Sequence, residues 1–268
     1  MDFSTANIAF LTYLLAAIIY FIFLLSGNNK SSKLGYYILI IALILNLITI
    51  IQRWILVAYP PFSNMYETML VWACSIAFFQ IIFEKKYNLS RIGFFSSLSA
   101  LLVLAYASFF TTKDISPLVP ALQSNWLTVH VISYFISYGA LALSFITAIY
   151  FVINKNSKID FSNITYKLIS FAFPFLTIGL ITGSVWAKEA WGDYWSWDPK
   201  EMWSLITWLL YLNFLHLPKT LPNVLRKLKI DLKYNKLVIN IFAIIGFLCV
   251  VFTYIGVNYL LSGLHSYA

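Results

Sequence analysis

Long apolar stretches alternate with short polar breaks from one end of the chain to the other. They fall at about 6–25, 34–51, 66–83, 92–110, 127–153, 167–186, 202–217 and 237–261. Most approach or exceed the roughly 20 apolar residues that a helix needs to cross a hydrocarbon core about 30 Å thick. Backbone N–H and C=O groups in lipid must pair within their own segment, so these stretches predict helices. None shows the alternation over roughly ten residues that marks a strand of a membrane barrel. The pattern predicts an all-α polytopic integral membrane protein with about eight transmembrane helices. It reads as a single membrane domain over residues 1–268, with both termini on the same side.

Composition agrees. Of 268 residues 61% are hydrophobic and 10% charged, with a mean hydropathy of +0.80. Soluble domains carry about 25% charged residues, so lipid has to be the main solvent. A cytosolic enzyme, a disordered chain and a disulfide scaffold are excluded.

The net charge of +8 resembles a nucleic-acid signal until its distribution is considered. With eight spans, Lys30, Lys33, Lys85, Lys86, Arg91, Lys155, Lys158, Lys167, Lys219, Arg226, Lys227, Lys229, Lys233 and Lys236 share one side, which is 14 of the 18 basic residues. Such asymmetry orients membrane proteins with the basic loops toward the cytoplasm or stroma. Both termini are then expected on the lumenal or periplasmic side, with anionic lipid headgroups near the basic loops and no nucleic-acid partner. Seven of the ten acidic residues fall on the side with few cations, four of them within 189–201.

Cys74 and Cys249 lie in apolar runs with no Cys-x-x-Cys, so neither thiol-disulfide work nor a zinc site is expected. No Ser/His/Asp or paired-carboxylate constellation is visible, so the chain has no catalytic nucleophile of its own. The start, MDFSTANIAF, lacks the basic region of a signal peptide, and the run from Ala6 to Leu25 is expected to remain as a span.

The candidate chemistry lies in the external loop 187–201. Six of the nine tryptophans fall between 186 and 208: Trp186, Trp191, Trp195, Trp197, Trp203 and Trp208. Tryptophan favours the membrane interface, and an aromatic belt is one reading. Within WGDYWSWDPKEMW, however, Trp191, Tyr194, Trp195 and Trp197 are interleaved with Gly192, Asp193 and Asp198 outside any predicted span. An exposed indole array is an apolar patch that calls for a flat partner, and a porphyrin face would serve. Asp198-Pro199-Lys200-Glu201 reads as a helix N-cap, a first-turn proline and a capping glutamate.

The three histidines differ in depth. His130 lies near the outer end of the fifth run, His265 just beyond the eighth, and His216 fifteen residues after Glu201 along the seventh. At 1.5 Å per residue, that places His216 roughly 22 Å from the tryptophan loop. Each taken singly reads equally as a hydrogen-bonded surface residue; an ionisable residue at depth points to function.

WGDYWSWDPKEMW resembles the tryptophan-rich signature of the haem-handling proteins of cytochrome c biogenesis. PFSNMYE at 61–67 and GLHSYA at 263–268 narrow the resemblance to the CcsA family of the two-protein cytochrome c synthesis system, over nearly the whole chain. The resemblance implies a subunit of a cytochrome c synthase that carries haem across the bilayer. Haem b would be held as cargo against Trp191, Tyr194, Trp195, Trp197, Asp198 and Trp203, with His130 and His265 as axial ligands of the iron. It implies an apocytochrome c substrate with a Cys-x-x-Cys-His motif and a CcsB-like membrane partner. The histidine matching His216 receives haem within the membrane, paired with a histidine of that partner. PFSNMYE reads either as a rigid helix entry or as lining of an outer haem chamber.

Two other functions fit less of the chain. One is a haem-exporter subunit of the multi-protein maturation system, and the other is a small-solute transporter whose outer loop is an interface belt. Heavy use of Ile, Asn and Lys suggests a plastid thylakoid protein, with a bacterial inner membrane as the alternative.

The charge asymmetry yields a topology test. Single cysteines placed in 84–91 and 218–236 are expected to react with an impermeant maleimide from the cytoplasmic or stromal side, and those in 187–201 from the opposite side. Labelling of the tryptophan loop from the basic side would overturn the arrangement.

Overall fold

The computed structural model describes residues 2–115, 118–154, 157–229, 231–261 and 263, and only the backbone of 2–4 and 233. The described residues form helices and no strand. In chain order the long helices are α1 (Asp2–Ser26), α2 (Asn29–Val57), α3 (Met65–Tyr87), α4 (Gly93–Phe110), α5 (Asn125–Ile153), α6 (Phe161–Trp191), α7 (Pro199–Lys227) and α8 (Asn235–Val251). After α8 the chain continues through a π-helical turn, Phe252–Gly256, into a last turn, Val257–Leu260.

Every predicted apolar run lies in a helix, and several helices overrun their runs. Polar caps set the true starts: Asn28, Asn64, Ser124, Asp160 and Asp198 each accept a backbone N–H of the following turn through the side chain. The apolar pattern records contact with lipid, whereas the caps record where backbone hydrogen bonding begins. The expected external loop is therefore shorter than 187–201, because α6 continues through Trp191.

Seven helices among the described residues are long and apolar enough to cross a membrane. The remaining long helix, α7, has 29 residues. Its ends carry Lys200, Glu201, Lys219, Arg226 and Lys227, and its middle carries Asn213 and His216. The eighth expected span thus falls on a helix that is more polar than the other seven.

The chain falls into two compact units, residues 1–122 and 123–268. In the first, α1 packs on α2 and α4, and α3 packs on α4. Tyr20 joins the four helices. A Cβ on Gly35 would lie 3.1 Å from its ring and one on Gly93 only 2.4 Å, so the absence of side chains there makes room for it. Its hydroxyl donates to Glu84 at 2.6 Å, and Gln80 donates to the same carboxylate at 2.7 Å.

At the other end of this unit, Arg53 and Glu67 form a buried ion pair at 2.6 Å, only 2% and 1% exposed. The second Glu67 oxygen accepts the Ser63 N–H and hydroxyl at 2.7 and 2.8 Å. Arg53 also donates to the carbonyls of Lys113 and Asp114 at 3.0 and 3.3 Å, tying the α4–α5 connection to the α2–α3 loop. These bonds hold Ser63 and Glu67 together at the entry to α3.

In the second unit α5 and α6 form the most extensive helix pair. Small buried residues on α5, among them Gly139, Ala140, Ala142, Ser144 and Ala148, allow the close approach. Polar side chains then fix the register: Thr147 with Thr165 at 2.9 Å, Asn240 with Ser162 at 2.8 Å, and Trp208 with Thr177 at 2.9 Å.

Removing one member of a buried ion pair leaves the other charged and unpartnered, at a cost of about 3–5 kcal/mol. Glu67→Gln is therefore expected to lower the thermal stability of the detergent-solubilised protein more than the double change Arg53→Met/Glu67→Met. Equal melting of wild type and the single variant would contradict the clasp.

Candidate functional site

The tryptophan loop is built at the meeting of two helix ends. Gly192 stops α6 in the left-handed region, φ +96°, with its N–H on the Lys188 carbonyl at 3.1 Å. The Lys188 ammonium donates back to the Gly192 carbonyl and lies 5.7 Å over the Tyr194 ring. Across the loop α7 opens with a complete capping box. The Asp198 side chain accepts the Lys200 N–H at 2.9 Å, and Glu201 accepts the Asp198 N–H at 3.2 Å and the Ser196 N–H at 2.8 Å.

Two backbone amides on one Glu201 carboxylate hold residues 196–198 in place. Between them Trp197 has φ +60°, a left-handed conformation that is uncommon for a bulky residue and costs of order 1–3 kcal/mol. Its indole is 66% exposed and stands edge-on to Trp195, with ring centroids 5.9 Å apart. Tyr194 is also exposed. The loop thus presents aromatic surface outward from a backbone that its own carboxylate fixes.

A second aromatic group connects the loop to His130. Trp186 is buried, with Trp191 at 4.8 Å on one side and the His130 ring at 5.9 Å on the other. His130 Nδ1 lies 2.8 Å from the Gly179 carbonyl. An oxygen acceptor there makes Nδ1 the protonated nitrogen and places the ring's lone pair on Nε2, the tautomer of a metal-ligating imidazole. Ser124, the α5 cap, donates to Glu189 and anchors the start of the His130 helix to the end of α6.

Trp203 belongs to another contact, 4.4 Å from Phe252 in the π-helical turn. That turn is tied to α7 by Thr207 and Thr253, whose hydroxyls are 3.1 Å apart. Beyond it Gly263 presses on the loop: a Cβ there would lie 2.1 Å from Asp198 Oδ2 and 3.0 Å from the Pro199 ring. Gly263 therefore lies against the α7 cap. His265 itself lies outside the described residues.

The structure brings His130, Trp186 and Trp191 together, pairs Trp195 with Trp197, and sets Asp198 against Gly263. It leaves His216 apart. That ring is exposed on α7, with Nδ1 2.8 Å from the Leu212 carbonyl of its own helix. Sequence reasoning missed the parts played by Trp186, Gly263, Thr207 and Thr253. Gly179-x-x-x-Gly183 has the spacing of close helix packing, but spacing does not tell which side chain it receives.

A family model described as Cytochrome C assembly protein matches residues 62–265. The chain is 36% identical to the cytochrome c biogenesis protein CcsA of Guillardia theta, over 97% of this chain and 94% of that protein. It is 35% identical to the CcsA protein of Porphyra purpurea, over 100% and 97%. Among solved structures, the cytochrome c haem lyase CcmF superposes with a TM-score of 0.70 at 17% identity, covering 92% of this chain. The chain spans 45% of that CcmF chain, and the likeness is one of fold.

Burial pushes the Lys200 ammonium down to about 8 against the opposing pull of Asp198. Between that value and the ordinary 10.5, the unfolded chain holds a proton that the folded chain has released, so stability rises with pH across this window. Compared with Lys200→Met, the wild type is expected to gain thermal stability from pH 7 to 10. A constant difference over that range would contradict the burial.

Proposed function

The chain belongs to the CcsA family of cytochrome c assembly proteins, and we propose that within cytochrome c maturation it passes haem b across the membrane and holds it for attachment to an apocytochrome. The observation that carries this reading is His130, with its lone pair on Nε2, set against Trp186 and Trp191 at the edge of the exposed tryptophan loop. When bound, the haem supplies two vinyl groups, to which the two thiols of a Cys-x-x-Cys-His motif add.

The chain's own residues position and protect. His130, through Nε2, and His265 would hold the haem iron between them, and Gly263, two residues before His265, lies against Asp198. Trp191, Tyr194, Trp195, Trp197 and Trp203 give the flat apolar surface. Lys188 and Lys200 meet the propionates, and a carboxylate beside Lys200 restores the proton that burial disfavours. Holding the acceptor in one pose replaces much of the entropic cost of a bimolecular step.

His216 serves an earlier step. Its Nδ1 contact with Leu212 also leaves the ring lone pair on Nε2, in an exposed residue of α7. Asn213, Leu209, Ile206 and Met202 continue that exposed face. A CcsB-like membrane protein supplies a second histidine at this depth, and haem entering there moves to the outer pair. The lumenal or periplasmic position of the loop and a thylakoid location belong to the same proposal.

The test uses the protein co-purified with its partner. Replacing His130 or His265 with Gly should open a coordination position, seen as loss of the low-spin spectrum, that added imidazole refills. His216→Ala should leave the outer site empty as well. An unchanged spectrum with full cytochrome c assembly in both outer variants would overturn the ligand assignment. Normal filling of the outer site in His216→Ala would overturn the relay.

A further inference from the structure

We propose that Gly183 and the carbonyl of Gly179 form the seat that aims the His130 imidazole, which makes these two α6 residues positioning residues for haem ligation. The proposal rests on the reading of His130 as an axial ligand.

The contact is closer than a side chain at residue 183 would allow. A Cβ on Gly183 would lie 2.4 Å from His130 Nδ1 and 2.6 Å from its Cε1, inside any real non-bonded separation. The ring therefore lies directly against the bare Cα of residue 183. From there Nδ1 reaches the Gly179 carbonyl, one turn back on the same helix face, at 2.8 Å. That carbonyl is also 3.3 Å from the Thr182 hydroxyl. The Thr182 hydroxyl has its shorter bond to the Ile178 carbonyl at 2.8 Å, so the Gly179 carbonyl, which also takes the helical N–H of residue 183, keeps its second lone pair for His130.

The neighbours of the ring restrict where it could go if displaced. Tyr134, one turn on along α5, stands edge-on at 4.8 Å. Its own ring occupies the notch at Gly179, where a Cβ would lie 2.7 Å away. Trp186 lies 5.9 Å away on α6. A methyl group at residue 183 thus pushes the imidazole off the Gly179 carbonyl, and the ring loses the bond that fixes its tautomer and plane. Partners of this kind on a ligating histidine are worth about 10–100-fold in affinity or activity.

Close packing of two membrane helices also uses glycines at this spacing, so the test has to separate aiming from packing. Gly183→Ala is compared with Gly246→Ala, whose added Cβ would meet Tyr211 on α7, 2.9 Å from its Cζ, and not His130. Both variants should lose thermal stability. Only Gly183→Ala should also lose the low-spin haem spectrum, shift the midpoint potential and retain roughly tenfold less haem, with imidazole restoring the low-spin form. In the His130→Gly background, Gly183→Ala should change the spectrum no further. If Gly183→Ala alone does not accumulate, His130→Gly/Gly183→Ala should, because removing the ring removes the clash.

A wild-type spectrum and potential in Gly183→Ala, with His130→Gly altered, would overturn the seat and leave the ligand reading standing. An unaltered spectrum in His130→Gly would overturn the reading beneath it. Failure of His130→Gly to rescue a non-accumulating Gly183→Ala would assign the glycine to packing.

Discussion

Lipid offers no hydrogen-bond partner, and the rest of the structure follows from that constraint. The backbone meets it by forming helices throughout. Polar side chains face the same constraint, and within each unit many meet it in clusters between helices. In the first unit Tyr20, Gln80 and Glu84 satisfy one another, and Arg53, Glu67 and Ser63 form a second closed group. In the second unit threonine, asparagine and tryptophan side chains pair between α5, α6, α7 and the last helix. With little hydrophobic drive between helices in lipid, such pairs and close backbone approach set the register.

Small residues give those contacts their specificity. Gly35 and Gly93 admit Tyr20, Gly179 admits Tyr134, and Gly183 admits His130. Each notch selects one ring on another helix, so a structural device shared by membrane bundles also sets how the His130 ring lies. The same economy appears in the tryptophan loop. Glu201, an ordinary capping residue, also binds Ser196 and thereby fixes the unusual conformation of Trp197.

The functional groups gather where helices end. The start of α7 and Gly263, beyond the π-helical turn, meet at Asp198, while His130 sits in the second turn of α5. Backbone outside a helix needs water or a cap, so an aromatic, charge-bearing loop is stable only at the edge of the membrane.

The amino-acid sequence by itself determined the helical membrane class, the positions of the apolar runs, the capping box at Asp198–Glu201 and the identity of the tryptophan loop. Those features are local: hydropathy over a run, or hydrogen bonding over one turn. It also carried the resemblance that the family match supports. Only the tertiary structure decided that α6 absorbs Trp191, that Trp186 bridges His130 and Trp191, that Gly263 rests on Asp198, and that Gly179 and Gly183 receive Tyr134 and His130. These are contacts between residues distant in sequence. Periodicity along one helix shows that a small residue faces a neighbour, but which ring enters the notch depends on the relative register of two helices, and that is fixed only when both are packed.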